Sequence, residues 1–585
     1  MGEQRTNTRL GAFKDALDER TGYRALLRAA GDEAVHGGAS FAYVFGSALV
    51  FTFVIQVLTG ISLATVYAPT VTDAWGSVYT IQHEMTLGWL VRGLHHFGSS
   101  AMIVLCVLHM TQVFLYGAYR KPREINWITG MVMLLLVLAF GLTGYLLPWD
   151  QKGYWATQVA TRIMGGTPGG ESLQLLLQGG AEYGNLTLTR FYAIHVFILP
   201  ISLTLLMVGH IALFRRHGVT ASPKKSDEVV QTKVDTFWPL QVLYDLVAAA
   251  VVFGALVALV LTVGVSLEAP ADPASGYEAR PEWYFLFLFQ LLKYFEGPMT
   301  LVGTVVIPGL AVGFLVALPF LDRMGGAPRR RPPMRLMLPF FGVFLGAGVL
   351  TAVALNYDAT SEAYHEGRAA AVEEAERANR LAAMGGLDGA GRIVLYEGYR
   401  LFESKGCMSC HAKGSEKPGP LLKGYGGADR IRRFLKDPDH EDFFGLTPLK
   451  EAMEPVEVDE ATMDGLVAYM LHLGGKTDGL AGDPEKVKVG KAAFEDEDCT
   501  SCHNDPGWSV SHEDYDATAE GPDLAGYQNF EWTRALLRDV HAPQFFGGVV
   551  DVKDREAMMP AYPDLSDDEL RLLVRWLQAG APEAD

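Results

Sequence analysis

The chain has 585 residues, of which 49% are hydrophobic, and its formal net charge is −18 at pH 7. Both properties divide the chain near residue 356. Residues 1–356 carry a net charge of +3 and all the long apolar runs, whereas residues 357–585 carry −21. This distribution excludes a uniformly soluble protein and predicts a membrane region followed by an acidic soluble region; we expect no nucleic-acid partner.

Seven apolar runs are each long enough to cross a lipid bilayer, which takes about 20 helical residues. They are residues 41–67, 88–116, 126–147, 187–214, 238–267, 300–321 and 336–356. The first run is too long for the apolar core of a signal peptide, and residues 1–40 are polar and charged. No cleavable signal peptide is therefore predicted.

Lysine and arginine mark the predicted cytoplasmic side, because loops rich in these residues stay inside. The N-terminal segment holds six of them, and basic clusters follow spans two, four and six, at residues 119–124, 215–225 and 322–335. The loop 68–87 has none. The N-terminus is therefore predicted to be cytoplasmic, and seven crossings place residues 357–585 on the outer, periplasmic side of a bacterial cytoplasmic membrane.

Spans two and four each carry two histidines on one helix face. His95 and His109 are 14 positions apart, which leaves them about 40° apart around the helix. His195 and His210 are 15 positions apart, or about 60°, whereas His96 faces elsewhere. Both spans run inward, so His95 is level with His195 near the outer face, and the other two are level near the inner face. This pattern predicts two stacked bis-histidine metal sites rather than isolated helix–helix hydrogen bonds.

Spans one and three carry glycine pairs with the same 14-residue spacing. The pairs are Gly46 with Gly60, and Gly130 with Gly144. Glycine allows a flat group to approach the backbone, so the two spans are predicted to cover the same two planar cofactors. Ordinary packing glycine is an equally good interpretation of this pattern alone, since the chain has 63 glycines.

The acidic region contains two C-x-x-C-H motifs, the attachment signature of c-type haem, in which two thiols bind the haem and the histidine ligates iron. The residues are Cys407, Cys410 and His411 in "CMSCH", and Cys499, Cys502 and His503 in "CTSCH". A redox dithiol or half of a zinc site is the alternative for one copy. Two copies about 90 residues apart favour two covalent haems.

Each motif is followed by a methionine, a proline and an amphipathic last helix, in "MEPVEVDEATMDGLVAYMLHL" and "MMPAYPDLSDDELRLLVRWLQ". These endings resemble that of class I cytochrome c, in which a methionine thioether is the sixth iron ligand. The resemblance assigns Met453 and Met559 as ligands, with Met558 as the adjacent alternative. The fifth cysteine, Cys106 in span two, is most simply a small buried apolar residue.

The membrane region resembles cytochrome b of the Rieske/cytochrome b (quinol:cytochrome c oxidoreductase) complexes over about residues 20–356. The similarity rests on the histidine and glycine pairs and on "RGLHHF", "YRKPREINWITG", "GYLLPWDQKGYWATQV", "LTRFYAIH" and "PEWYF". Seven spans and the 14 and 15 spacings resemble the chloroplast-type short cytochrome b, with residues 235–356 similar to its separate subunit IV. The resemblance implies two non-covalent b-type haems beside the two c-type haems. The extra haem of the chloroplast branch is not expected, because Val44 replaces its cysteine.

The resemblance also implies an outer quinol pocket formed by "RPEWYF", between spans five and six, and by "PWDQKGYWA". Glu282 and Tyr284 are expected to be the catalytic residues, with Glu282 as general base. Pro281 and Trp283 are expected to bind the quinol, and Trp283 and Tyr284 to form part of the pocket wall. On local sequence alone, an interfacial ion pair of Glu282 with an arginine or lysine is equally compatible, and the candidates are Arg280 and Lys293.

Three arginines are also assigned. The resemblance places Arg92 and Arg190 at the propionates of the outer haem. An inner quinone site needs cationic groups, and Arg215 and His217 are the nearest candidates. Their alternative is a role as ordinary positive-inside anchors.

The predicted fold is all-α, with a seven-helix transmembrane cytochrome b bundle followed by two class I cytochrome c-like helical domains. The predicted segments are a cytoplasmic N-terminus (1–40), a di-haem core (41–234), a subunit IV-like region (235–356), a helical linker (357–388) and cytochrome c domains at 389–478 and 479–585.

Two functions are compatible with this organisation. In the first, the chain is an enzyme subunit that bifurcates the electrons of quinol, one to a separate Rieske iron–sulfur protein and the c haems, the other through the b haems to quinone. In the second, it is a non-bifurcating electron carrier and anchor in the lipid bilayer. The resemblance implies a homodimeric complex and a mobile or bound cytochrome c or terminal oxidase as acceptor.

Overall fold

The computed structural model describes residues 9–322, 331–389, 391–508, 511–516, 518–542, 544–545 and 559–579. The regular secondary structure of these residues is helical apart from one antiparallel sheet of two short strands, β1 (Ala34–His36) and β2 (Val234–Thr236). The predicted all-α class is confirmed. Two compact units divide between Glu376 and Arg377, and each is described by itself.

The first unit contains the membrane helices. From the N-terminus its described α-helices are α1 (Arg9–Thr21), α2 (Tyr23–Gly31), α3 (Val44–Ala64), α4 (Ala74–His83), α5 (Gly88–Leu115), α6 (Glu124–Tyr145), α7 (Gln151–Gly165), α8 (Gly170–Gln178), α9 (Asn185–Ala193) and α10 (Leu199–His217). They continue with α11 (Asp227–Thr232), α12 (Val242–Thr262), α13 (Leu286–Leu292), α14 (Ile307–Leu321) and α15 (Met334–Thr360). The next helix, α16 (Glu362–Leu381), contains the division between the units.

Seven helical stretches in the described residues are long and apolar enough to cross a membrane. They are Phe41–Ala64, Gly88–Leu115, Glu124–Tyr145, Asn185–His217, Phe237–Thr262, Val302–Leu321 and Met334–Thr360. Large apolar side chains on them remain exposed, among them Leu205 and Leu310 at 69% each. A surface that faces lipid requires such side chains, and the seven predicted spans are confirmed.

Span four is not a regular α-helix along its whole length. A π-helical turn, Ile194–Ile198, joins α9 to α10 and contains His195. Pro200 follows this turn, and proline has no N–H with which to continue the α-helical ladder. A π turn takes in more residues than an α turn and is frequent at functional sites. It accommodates the extra residue that makes the His195–His210 spacing 15 rather than 14.

Two helix pairs form the centre of the membrane region. Helix α3 packs along α5, and α6 packs along α10, while α12 packs against α3 and α5. Span two, which carries His95 and His109, lies beside α3, and span four, which carries His195 and His210, lies beside α6. Each histidine pair is therefore flanked by α3 and α6, the helices that carry the glycine pairs. Cys106 packs among apolar residues of this core, as the sequence predicts.

The second unit contains α17 (Val394–Ser404), α18 (Met408–His411), α19 (Ala428–Lys436), α20 (Glu460–Leu473), α21 (Pro484–Asp496), α22 (Phe530–Arg538) and α23 (Asp567–Gln578). Helix α17 packs against α23, and α20 packs against α21. This pairing differs from two consecutive domains at 389–478 and 479–585, in which the first and last helices of each domain would meet. A short connection, residues 474–483, is what brings α21 onto α20.

Candidate functional site

The four predicted histidines form two pairs. The imidazole centroids of His95 and His195 lie 6.2 Å apart, with the ring planes at 70°. Those of His109 and His210 lie 6.4 Å apart, also at 70°. Two imidazoles that bind one metal ion from opposite sides have centroids about 6 Å apart, because each metal–nitrogen bond is about 2 Å long. Each pair therefore has room for one iron between its rings, whereas His96 packs on the neighbouring phenylalanine.

Each of the four predicted glycines lies against one of these histidines. A Cβ atom added at Gly60 would lie 3.2 Å from Cε1 of His95, and one added at Gly144 would lie 2.5 Å from Cε1 of His195. At the inner pair the corresponding distances are 3.5 Å for Gly46 to His109 and 3.4 Å for Gly130 to His210. A Cβ at Gly60 or Gly144 would press on an imidazole, and one at Gly46 or Gly130 would be in van der Waals contact with one, so the shared 14-residue period follows the positions of the histidines.

Threonine hydroxyls determine which ring nitrogen is available to a metal. The Thr59 hydroxyl donates to the Ile55 carbonyl at 2.6 Å and lies 2.9 Å from Nδ1 of His95. Because its proton is already used, the hydroxyl accepts from Nδ1–H, and the lone pair on Nε2 faces the metal position. The same arrangement occurs at Thr143 with His195 (3.0 Å) and at Thr129 with His210 (3.1 Å).

Sequence reasoning missed these threonines, although a signal was present. In three of the four cases the threonine directly precedes the glycine, so that the chain reads T-G. At the fourth, Phe45 precedes Gly46, and Nδ1 of His109 is buried without a hydrogen-bond partner in the described part of the chain.

Replacing Thr59 with valine should alter the outer haem site without removing its ligands. The Nδ1–H of His95 then loses the hydroxyl as an acceptor and keeps its backbone partner at Gln56. The imidazole becomes a weaker electron donor to iron, and loss of a hydrogen bond that supports a metal ligand typically costs ~10–100-fold in metal affinity. We expect weaker haem binding and a more positive reduction potential, measured by redox titration of the membrane region. Thr52→Val is the matched control, since Thr52 is buried on the same helix and bonds only the Ala48 carbonyl. Equal potentials in the two variants would contradict this role.

The inner histidine pair borders a cavity of about 470 Å³. Besides His109 and His210, this cavity is lined by Arg215, whose Nη1 lies 2.8 Å from Oε2 of Glu33. The structure therefore brings the predicted Arg215 to the inner site, and it adds Glu33, which the sequence did not indicate. Among the described residues His217 does not line the cavity. Its carbonyl accepts a hydrogen bond from Arg123, which lies just before α6.

The two predicted walls of the outer pocket meet. Lys152, from "PWDQKGYWA", places its Nζ 3.1 Å from Oε1 of Glu282, whose side chain is 16% exposed. The two residues expected as alternative partners of Glu282 contact other groups. Arg280 pairs with Asp358 at 2.9 Å, and the Lys293 ammonium lies over the ring of Tyr357. Glu282 is thus ion-paired, but with the opposite wall rather than with its own segment.

Three other residues of the RPEWYF segment are predicted to line this pocket. Tyr284 is buried, with its ring against Gly141 of span three, whereas Trp283 is 43% exposed and donates its indole N–H to Ser100 at 3.2 Å. Pro281 is buried beside them. Two of the three predicted wall residues, Pro281 and Tyr284, are therefore buried, and Trp283 is not.

Asp150 is a second carboxyl at this face. It begins α7, accepting from the Gly153 N–H at 2.8 Å, and it is only 7% exposed. Burial raises the pKa of Asp150 to about 6. The Asp150 carboxyl is therefore protonated more easily than an exposed aspartate.

The two arginines assigned to haem propionates contact protein groups. Arg92 donates to Oε1 of Gln82 at 2.9 Å and to the carbonyls of Val265 and Ser266 at 3.0 Å each. Arg190 donates to the carbonyl of Leu176. A role at the propionates stays a prediction for both.

The two c-type motifs place their histidines alike. Nδ1 of His411 donates to the Pro420 carbonyl at 2.8 Å, and Nδ1 of His503 donates to the Pro522 carbonyl at 2.8 Å. Because a carbonyl only accepts, Nε2 keeps its lone pair for iron in both. Burial lowers the pKa of His411 and of His503, which favours the neutral, metal-binding form. The neighbouring cysteines are partly buried free thiols, so both motifs fit a covalent haem.

The two predicted methionine ligands are both described and partly buried. Met453 packs against an apolar core of the second unit, and Met559 lies in the segment before α23. The alternative ligand, Met558, lies outside the described residues.

Comparisons with known proteins agree with these sites. Family models match residues 32–218 (Cytochrome b/b6/petB), 270–365 (Cytochrome b(C-terminal)/b6/petD) and 487–581 (Cytochrome c). The cytochrome bc complex cytochrome b subunit of Chlorobaculum thiosulfatiphilum is 38% identical over 315 residues, which is 53% of this chain and 72% of that protein. The menaquinol:cytochrome c reductase cytochrome b subunit of Bacillus subtilis (strain 168) is 43% identical over 220 residues, 36% of this chain and 98% of the relative.

A solved structure extends the similarity. The structure described as "Hyperthermophilic respiratory Complex III" aligns with a TM-score of 0.50 at 27% identity, covering 62% of this chain and 95% of the other. The matched families account for the paired histidines and for the C-terminal haem motif. The chain therefore belongs to the cytochrome b family of bc-type quinol:cytochrome c oxidoreductases, with b-type haems in its membrane region and c-type haem in its C-terminal region.

Proposed function

We propose that this chain oxidises quinol at the outer membrane face and divides the two electrons of each quinol. One electron passes to a separate Rieske iron–sulfur protein and on to the c-type region, and the other crosses the membrane to reduce quinone at the inner face. The N-terminus is cytoplasmic and the c-type region is outside. Proton release outside and uptake inside then contribute to the proton motive force.

The observation that carries this proposal is that the stacked histidine pairs have a candidate quinone site at each end. At the outer end, the Glu282–Lys152 ion pair joins the two segments predicted to bind quinol, and Pro281 and Tyr284 of the same segment are buried. At the inner end, the 470 Å³ cavity joins His109 and His210 to the Arg215–Glu33 ion pair. A non-bifurcating electron carrier needs only one quinone site.

The residues at the outer site support proton removal from quinol. Oxidation of quinol to quinone releases two protons and two electrons, so an acceptor must lie near a quinol hydroxyl. Glu282 supplies the carboxylate. Lys152 is the present partner of that carboxylate, and a quinol hydroxyl would replace the lysine there. The buried Tyr284 and Pro281 limit water, which favours transfer to Glu282 over release to solvent.

The residues at the inner site support the opposite proton movement. Arg215 offers positive charge to a quinone oxygen that gains an electron, and Glu33 is a carboxyl able to deliver a proton through the cavity. The haems, when bound, supply one-electron transfer between the two sites.

The partners follow from what this chain does not encode. Its five cysteines are four haem-attachment residues and Cys106, so the Rieske cluster must reside on another subunit. A homodimeric complex and a cytochrome c or oxidase acceptor complete the proposal. Relatives named menaquinol:cytochrome c reductase support a quinol donor.

An added oxidant should make the b haems more reduced when the inner quinone site is blocked. With quinol present and an inhibitor at the inner site, rapid oxidation of the c haems draws one electron outward. The second electron is then confined to the membrane route, where it accumulates. The measurement is a rapid-mixing spectrum at the α band of the b haems, with the uninhibited complex as control. If the b haems become oxidised together with the c haems under verified inhibition, division of the electrons is wrong and the carrier function stands.

A further inference from the structure

The helix before the CMSCH motif crosses the last helix of the chain. Helix α17 packs on α23, and Gly398 lies at the crossing. A Cβ at Gly398 would lie 2.6 Å from Cβ of Trp576 and would overlap the carbonyl of Leu572. One turn further along, Phe402 meets Trp576 with ring centroids 4.7 Å apart. The close fit around a glycine indicates a specific crossing rather than a loose contact.

The helix before the CTSCH motif makes the equivalent crossing, but with α20. A Cβ at Gly465 of α20 would lie 2.8 Å from the backbone nitrogen of Gly490 in α21, and a Cβ at Gly490 would overlap the Gly465 carbonyl. Gly398 and Gly490 each lie nine residues before the first cysteine of their motif. The two crossings therefore correspond, and each joins the first helix of one motif to the helix that ends the other sequence repeat.

The segments that carry the two predicted methionine ligands also lie with the motif of the other repeat. Met453 precedes α20 and packs on a core that contains Phe494 and Leu524, with Cys499 packed against it as well. These three residues flank or belong to the CTSCH motif, 92 positions after its counterpart CMSCH. Met453 thus lies with the second motif, although the first motif precedes it in the chain.

The other methionine lies with the first motif. Tyr562, three residues after Met559, is a hydrogen-bond partner of the Cys407 thiol. Phe402, which meets Trp576 of α23, also lies 6.3 Å from the His411 ring, centroid to centroid. The segment that carries Met559 is therefore brought to CMSCH from the far end of the chain.

Further contacts between the two repeats occur in the segment between each motif and the helix that follows it. The Tyr425 hydroxyl, after CMSCH, hydrogen-bonds the hydroxyl of Thr533 in α22 at 2.9 Å. The next residue, Gly426, donates its N–H to Oε1 of Gln528 at 2.8 Å. In the corresponding place after CTSCH, Tyr527 packs with the core to which α19 contributes. These contacts join the segment after each motif to the other repeat.

We propose that the two c-type haem pockets are formed by reciprocal exchange of their C-terminal halves. The haem attached at CMSCH takes Met559 as its sixth ligand, and the haem attached at CTSCH takes Met453. The first pocket consists of α17, CMSCH, α22 and α23, and the second consists of α21, CTSCH, α19 and α20. Neither repeat closes a haem pocket by itself.

The test uses the full chain in its membrane complex and two backgrounds that keep one c haem each. Cys499→Ser with Cys502→Ser keeps only the CMSCH haem, and Cys407→Ser with Cys410→Ser keeps only the CTSCH haem. Met453→His is then introduced into both backgrounds. The readouts are the far-red absorption band of methionine-ligated ferric haem and the reduction potential, which falls when histidine replaces methionine.

We expect Met453→His to abolish the band and lower the potential of the CTSCH haem, and to leave the CMSCH haem unchanged. Met559→His is the matched variant, with the reverse pattern expected. Loss of the CMSCH band on Met453→His, with the CTSCH band retained, would establish consecutive domains and overturn the proposal.

A cleavage experiment tests the exchange without changing any haem ligand. A protease site is inserted into the connection 474–483, between α20 and α21, and the intact complex is cut in membranes. Because both pockets take helices from both sides of the cut, the fragment that begins after it should stay with the membrane, c haem included, until denaturant is added. Its release in native buffer with an unchanged haem spectrum would contradict the proposal.

Discussion

Replacing His95 with alanine should remove one b haem of two and leave the other. The His95 and His195 rings lie 6.2 Å apart across one metal position, and loss of either removes an axial ligand from a buried iron. The inner pair, His109 with His210, forms a separate site and should keep its haem. The pyridine haemochrome assay should show half the b haem per chain, and redox difference spectra should retain a single b component.

His96→Ala is the control for this change, because it removes a histidine of the same helix that belongs to neither pair. Both b haems should persist in it. A lost haem in the His96 variant, or two retained haems in the His95 variant, would contradict the pairing.

Replacing Glu282 with glutamine should slow quinol oxidation by ~10²–10³-fold, the usual scale for the loss of a general base. The amide cannot accept the quinol proton, yet it fills the same space beside Lys152, so haem content should be unchanged. The measurement is the steady-state rate of quinol-dependent cytochrome c reduction, with haem spectra recorded on the same preparation.

Glu278→Gln provides the matched control, since Glu278 is a half-exposed carboxylate that pairs with Arg280 at 2.9 Å on the same outer loop. Its rate should stay close to that of the parent chain. Equal rates in the Glu282 and Glu278 variants would make Glu282 a structural ion-pair partner only.

The membrane sites were largely predictable because their geometry is local to single helices. A 14-residue period fixes which residues share a face, so His95 and His109 could be placed from spacing alone, whereas the four glycines needed the matching period of the histidines as well. The 15-residue spacing of His195 and His210 in span four fitted this argument less well, because an ideal helix places the two residues about 60° apart. The π turn at Ile194–Ile198 is set by Pro200 and by neighbouring helices, and an ideal helix does not include it.

The partners of those residues were less predictable, because contacts between distant segments have no period. The Glu282–Lys152 pair joins loops 130 positions apart, and local sequence offered only Arg280 and Lys293. The packing of α17 on α23 was even less predictable from the sequence. Both repeats look complete in sequence, and only the packing distinguishes consecutive domains from exchanged ones.

The packing of α17 on α23 also sets an order for biogenesis. Gly398 and Leu572, which touch at this crossing, are about 170 residues apart, so ribosomes must finish nearly the whole C-terminal region before the crossing can form. Closing so long a loop carries an entropic cost and is slow compared with forming local contacts. Cys407 and Cys410 therefore remain accessible in an open chain throughout synthesis, which gives the haem-attachment machinery its interval for action. Premature termination anywhere before α23 would leave α17 without its partner, and the quality-control proteases of the cell would meet an exposed apolar helix.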